Sequence, residues 1–417
     1  MDAVSPGSVG ADRPDPVLLT EPADGLPPVV DTPEALEAAA AALAAGTGPV
    51  AVDTERASGY RYSQRAYLVQ LRRAGAGTVL VDPVELDGQV QPLEQALADT
   101  EWVLHAASQD LPCLAELNLR PSRLFDTELA GRLAGFERVS LGALVERMLG
   151  YQLEKGHSAA DWSRRPLPRD WLVYAALDVE LLIPLRAAME QELQQQGKLE
   201  WALEEFEAVR TAEPPPPKAE PWRRTSGIHR VRHPRQLALV RALWEARDAI
   251  ARERDLAPGR VLPDSAIVQA AQENPKTEAE LVALPVFRGR QQRRRAGIWM
   301  KALRAARRLK PEELPAPPSP GDGPPPPNRW ADRDPDAAAR LSAARAALNE
   351  LSEQHRVPAE NILLPDLLKR LCWSPPEDRS AESVAEVLRE KGAREWQIRL
   401  TAAPLSSALQ RTSADQR

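Results

Sequence analysis

The chain is 417 residues long, carries a formal net charge of −6, and is 43% hydrophobic and 27% charged. Those proportions fit a water-soluble globular protein of about two to four domains and exclude a chain that is a polycation throughout. Its two cysteines, Cys113 and Cys372, leave no disulfide framework, and neither a leader-like apolar stretch nor a membrane-length apolar run is present. The expected setting is cytoplasmic, with no disulfide partner and no membrane partner.

Residues 1–30 hold repeated Pro, Asp and Gly with few large apolar groups and are expected to be disordered. Asp31-Thr32-Pro33-Glu34 then combines a capping side chain, a first-turn Pro and an early carboxylate, which predicts a helix start. The Ala- and Leu-rich helix that follows ends near Gly46. Val50-Ala51-Val52-Asp53-Thr54-Glu55 opens as a run of β-formers, a buried strand. Two further runs, 67–71 and 78–82, flank Gly75-Ala76-Gly77 and predict a hairpin. Leu93 to Leu97 reads as a helix, Trp102-Val103-Leu104-His105 as a strand, and residues 126–196 as almost wholly helical. Three antiparallel-type strands, a strand–helix crossover and then helices predict an α/β domain, a mixed sheet covered by helices, over residues 31–212.

Forty prolines are clustered, and two rich stretches, 213–222 and 312–328, read as stiff linkers. They set off two further blocks, 223–311 and 329–412.

The first block carries four carboxylates of interest. Residues i and i+2 of a strand share a face, so Asp53 and Glu55 project side by side from the end of a core strand. Close carboxylates repel, and hard divalent cations prefer such oxygen ligands. The plainer alternative makes Glu55 the first exposed residue after a strand. Asp110 falls in the first turn of a helix that opens after His105, where a carboxylate complementing the helix dipole is common. Tyr174 and Asp178 stand four apart on a helix and share a face, as an ordinary surface pair also would.

Together these pieces resemble the DEDD superfamily of 3'-5' exonucleases, in its tyrosine-bearing branch, and most closely the ribonuclease D family. The family's first motif corresponds to Asp53-Thr54-Glu55, its second to His105 through Asp110-Leu111, and its third to Tyr174 through Asp178. Spacing, element type and order agree across residues 49–185. Lesser matches are Tyr67-Leu68-Val69-Gln70-Leu71, Val81-Asp82-Pro83, Asp126-Thr127, Asp161-Trp162 and Arg165-Pro166-Leu167. The resemblance implies a ribonuclease H-like sheet and a catalytic set of Asp53, Glu55, Asp110, Asp178 and Tyr174. The four carboxylates would hold two divalent cations, Mg²⁺ or Mn²⁺, which suit in-line phosphodiester hydrolysis. Tyr174 would orient the attacking water, since a hydroxyl with an unperturbed pKa of about 10 is a poor base at neutral pH. One departure is Arg56, where family members often carry an aromatic residue; it bears on how a terminal base is wedged at the site. His105 would line the site, and Lys155 and His157, in a polar segment before Asp161, are candidate substrate contacts.

The second block is helical by its apolar spacing and resembles the HRDC domain. From Arg288 to Lys310 it holds ten Lys or Arg and no Asp or Glu, a density that favours a polyanion over a merely solvated face. Arg290, Arg294 and Lys301 fall near one side if a single helix runs through them. The third block echoes it: His355-Arg356-Val357-Pro358 and Leu364-Pro365-Asp366 parallel Arg254-Asp255-Leu256-Ala257 and Leu262-Pro263-Asp264, without the basic run. The expected protein is a 3'-5' exoribonuclease with two all-α HRDC-type domains. It would release 5'-mononucleotides from RNA 3' ends, with structured RNAs such as transfer RNA precursors as partners. A DNA 3'-5' exonuclease and an inactive nucleic-acid-binding adaptor are the alternatives.

Overall fold

The computed structural model describes residues 15–154, 156–157, 159–216, 218–316 and 323–414. The first block is built from β1 (Val17–Leu19), β2 (Val29–Val30), α1 (Pro33–Ala45), β3 (Thr47–Arg56), β4 (Ala66–Ala74) and β5 (Gly77–Val81). It continues with α2 (Gln91–Leu97), β6 (Glu101–Leu104), α3 (Leu111–Glu116), β7 (Arg123–Asp126), α4 (Thr127–Leu133) and α5 (Leu141–Leu149). It closes with β8 (Tyr151–Leu153), α6 (Arg169–Glu180), α7 (Leu182–Gln195) and α8 (Leu199–Arg210). Thr32 caps α1 as expected, its hydroxyl accepting from the Ala35 N–H, and Gly75 and Gly77 turn the β4–β5 hairpin with positive φ.

Six strands form one mixed sheet in the order β2-β5-β4-β3-β6-β7. β3 is its centre, antiparallel to β4 and parallel to β6. Its residues Val50, Ala51 and Val52 are fully enclosed. The helix α6 packs across β3, β4 and β5, and a small apolar cluster of Leu68, Leu80, Trp162, Ala175 and Ala176 seals it there.

Three expectations need correction. Residues 1–14 lie outside the described residues, but 15–30 are not without structure: β1 runs parallel to β8 and β2 parallel to β5. Such short strands exist only through partners more than fifty residues away, which local composition does not record. Residues 126–196 are interrupted by β8 and by irregular backbone over residues 159–168, pinned by the 2.6 Å pair of Arg165 with Asp82. The stretch 213–222 is not a bare spacer, because Trp222 is buried in the core of the second block.

That second block comprises α9 (Pro234–Glu253), α10 (Pro258–Val261), α11 (Asp264–Glu273), α12 (Glu278–Ala283), α13 (Arg290–Arg294) and α14 (Ala296–Arg308), around a core of its own that includes Phe287, Trp299 and Leu303. The basic stretch is not one helix. Arg295, at φ −97° and ψ 1°, separates α13 from α14. The buried Gln292 amide donates to the Val261 carbonyl (2.7 Å) and accepts from Trp299 Nε1 (3.1 Å), which fixes the break from both sides.

The third block comprises α15 (Trp330–Arg333), α16 (Pro335–His355), α17 (Ala359–Ile362), α18 (Pro365–Trp373), α19 (Ala381–Glu390) and α20 (Glu395–Ala414). Both helical blocks run a long helix into a left-handed residue (Asp255 or Arg356), a one-turn helix and a second helix. Unlike the second block, the third shares one continuous core with the α/β domain. Trp201 of α8 stacks on Trp396 at 4.8 Å, and the buried Lys198 ammonium donates to the carbonyls of Leu133 and His355. Gly135 leaves no room for a Cβ against the Arg356 carbonyl. No helix among the described residues is long and apolar enough to cross a membrane.

Candidate active site

The C-terminal ends of β3 and β6 and one face of α6 converge on a cleft of about 560 Å³. It is lined by Asp53, Thr54, Glu55, Arg56, Tyr60, His105, Asp110, Tyr174 and Asp178 among others. β3 delivers Asp53 and Glu55 to one side, as strand alternation predicts, and the β3–β4 register shifts between Glu55 and Arg56. A bulge there turns the strand end out of the ladder, a common way of aiming side chains beside a site. α6 delivers Tyr174 and, one turn later, Asp178.

Carboxylate oxygens of Asp53, Glu55 and Asp178 lie within 4.8 Å of one another, close enough to share a metal ion. Asp110 lines the same cleft from the turn that joins β6 to α3. It occupies the cap position of α3 but makes no capping hydrogen bond, so its carboxylate is not spent on the helix end. It accepts instead from the Thr54 hydroxyl at 2.7 Å and faces Arg56 Nη2 at 3.7 Å. The turn that aims it is held by Asp126, which accepts from the N–H groups of Ala106, Ala107, Glu128 and Leu129. Ala106 takes a left-handed conformation there, at φ 61°.

Withdrawal from water raises every one of these carboxyls, and repulsion within the cluster adds to the rise at Asp53, Glu55 and Asp178. Burial first, then Asp53, Asp178 and Asp110, lift Glu55 to about 10. Burial and the charges of Asp110 and Asp178 push Asp53 well above the carboxylate range. Asp178 rises to about 7 and Asp110 to about 6, in each case mainly through burial. The Tyr174 hydroxyl, hydrogen-bonded to Asp178, is pushed above its usual range by burial and by that neighbour. Four oxygen donors this crowded are the donor chemistry of a hard divalent cation, whose charge would offset their repulsion. The residues present therefore fit such an ion.

The other candidates divide. His105 lines the cleft, its Nδ1 2.9 Å from the Thr127 hydroxyl, and burial lowers it to about 4, so it stays neutral. His157 sits beside the site: its ring lies edge-on to Tyr174 at 5.9 Å and its Nε2 is 3.3 Å from Asp170. Lys155 lies outside the described residues. Arg290 and Arg294 are exposed on α13 and Lys301 is exposed on α14, away from the residues lining the cleft.

Sequence reasoning missed Thr54, whose position on the opposite face of β3 carries it to Asp110, and it missed the docking of the second block. Asp255 accepts from the Tyr62 and Ser63 N–H groups at 3.1 and 2.9 Å, and from the Tyr67 hydroxyl. Arg260 donates to the Gly59 carbonyl at 2.8 Å and lies 4.0 Å over the Tyr60 ring. The 57–65 loop, whose residues Ser58, Gly59 and Tyr60 line the cleft, is thus held by the helical domain behind it.

Family models described as a 3'-5' exonuclease, an HRDC domain and a 3' to 5' exonuclease C-terminal domain match residues 27–194, 236–303 and 323–409. A ribonuclease D of Gluconacetobacter diazotrophicus is 30% identical over 338 residues, covering 79% of this chain and 82% of that protein. The matched stretch spans 58% of the length of some relatives of the same name and 85% of another's. Among solved structures, a protein from Bifidobacterium adolescentis is 41% identical with a TM-score of 0.87, covering 95% of this chain and all of that one. Escherichia coli RNase D, an exoribonuclease involved in structured RNA processing, is 26% identical with a TM-score of 0.66, covering 92% and 98%.

Proposed function

The chain belongs to the ribonuclease D family of 3'-5' exonucleases, and on that premise we propose that it hydrolyses the terminal phosphodiester bonds of RNA from the 3' end, releasing 5'-mononucleotides. The observation that carries this reading is the convergence of Asp53, Glu55, Asp110, Asp178 and Tyr174 on one cleft at the ends of β3, β6 and α6. Asp53, Glu55 and Asp178 would be the primary ligands, and Asp110 would complete the set from the opposite wall. Two bound divalent cations, Mg²⁺ or Mn²⁺, would neutralise the attacked phosphate and help ionise the attacking water.

The chain's own residues do the rest. Tyr174 keeps its proton at neutral pH and is oriented through Asp178, so its hydroxyl positions rather than deprotonates. Thr54 and Arg56 hold Asp110 in its rotamer. Where members of the family often carry an aromatic after the first-motif Glu, this chain has Arg56, whose guanidinium faces Asp110. Residues 223–311 and 329–412 present the substrate, the former through the basic surface of α13 and α14, and structured RNAs such as transfer RNA precursors in a bacterial cytoplasm are the natural class.

A matched pair of 5'-labelled RNA and DNA oligonucleotides, incubated with Mg²⁺ or Mn²⁺, tests the proposal. The RNA should shorten stepwise from its 3' end faster than the DNA. Faster loss of the DNA would reassign the substrate, and no loss of either would leave an inactive binding protein.

A further inference from the structure

Directly across the β3–β4 ladder from Asp53 stands Gln70. Opposed residues of an antiparallel pair share a face, with Cβ atoms about 4.5–5.5 Å apart. Gln70 is fully buried, and neither its amide nitrogen nor its amide oxygen has a hydrogen-bond partner among the described residues. Its neighbours on that face account for themselves. Leu68 belongs to the apolar cluster beneath α6, and Arg72 pairs with Glu180 at the end of α6 at 3.2 Å. Burying an amide without partners is costly, and a leucine or methionine would fill the same space without that cost. A polar side chain enclosed beside a ligand carboxylate has a use there, because partners of ligands fix their orientation and tune their basicity.

We propose that Gln70 is a positioning residue for Asp53: its amide N–H donates to the Asp53 carboxylate when that group serves as a metal ligand, leaving the other oxygen aimed into the cleft. This rests on the reading of Asp53 as a ligand. It also accounts for the glutamine in the Tyr67-Leu68-Val69-Gln70-Leu71 run, which lines neither the cleft nor any surface.

Calorimetric titration of the full chain with Mn²⁺ alone, paired with thermal unfolding in EDTA, tests it on Gln70→Met, Gln70→Leu and Asp53→Asn. The Gln70 variants should unfold in EDTA at or above the wild-type temperature, since no partner is lost. Their Mn²⁺ affinity should nevertheless fall by about tenfold, the scale of lost support behind a ligand. Wild-type affinity in both Gln70 variants overturns the proposal, as does a lower unfolding temperature with unchanged affinity, which marks a packing role. Failure of both variants to fold also overturns it, because the amide would then be holding the native core. Undiminished Mn²⁺ binding in Asp53→Asn would instead refute the ligand reading itself.

Discussion

Tyr174 and Asp178 are hydrogen-bonded neighbours, and the proposed chemistry gives them separable roles. Tyr174→Phe keeps the ring and removes only the hydroxyl, so turnover should fall on the order of 10²-fold while calorimetry finds Mn²⁺ affinity intact. Loss of metal binding alongside activity would make the tyrosine a support of the site. The carboxyls predict a pH dependence as well. Asp110, Asp178 and Glu55 titrate near 6, 7 and 10 in the folded protein, all above the unfolded values, so the metal-free protein binds more protons folded than unfolded. Their stabilising contribution is complete below about pH 4 and is lost as pH rises through those folded values. In EDTA the unfolding temperature should therefore drop from pH 5 to pH 9, and Asp178→Asn should flatten the slope. A rise in the wild type over that range would contradict the crowding. Asp53 and Glu55 were legible in the sequence because strand alternation alone puts them together. Thr54 was not, because its partner Asp110 is 56 residues away.

At the scale of elements, the left-handed turn between α9 and α10 is the link between the helical domain and the cleft wall. Asp255→Ala removes a charged acceptor from two backbone N–H groups of the 57–65 loop, a loss of about 1–3 kcal/mol. The expected result is a several-fold rise in KM for RNA with Mn²⁺ affinity unchanged, read by steady-state kinetics and calorimetry. An unchanged KM would mean that the loop keeps its shape without the domain. The central strand, the hairpin and α6 were predictable from apolar runs, turn glycines and spacing. β7 and β8 were not: Arg123-Leu124-Phe125-Asp126 and Tyr151-Gln152-Leu153 become strands only by pairing with β6 and β1. The break at Arg295 was equally hidden, since Gln292 reaching across to Val261 enforces it.

Across the whole molecule, the proline-rich stretches suggested three blocks, but which of them share a core is written only in tertiary packing. The third block is welded to α8 through Trp201, Trp396 and Lys198, whereas the second keeps its own core and carries the basic surface. Arg290 and Arg294 stand four apart on α13, so Arg290→Ala with Arg294→Ala should weaken binding of folded RNA and reduce the salt slope by about one to two units. Cleavage of a very short oligonucleotide should barely change. An unaltered salt slope would return α13 to a solvated face. The central claim, that one carboxylate cluster binds the catalytic ions, is tested most directly by anomalous diffraction from crystals soaked in Mn²⁺. The account predicts two peaks about 3.5–4 Å apart, bounded by Asp53, Glu55, Asp110 and Asp178. No anomalous peak in the cleft, or peaks only at sites remote from these four residues, would contradict it.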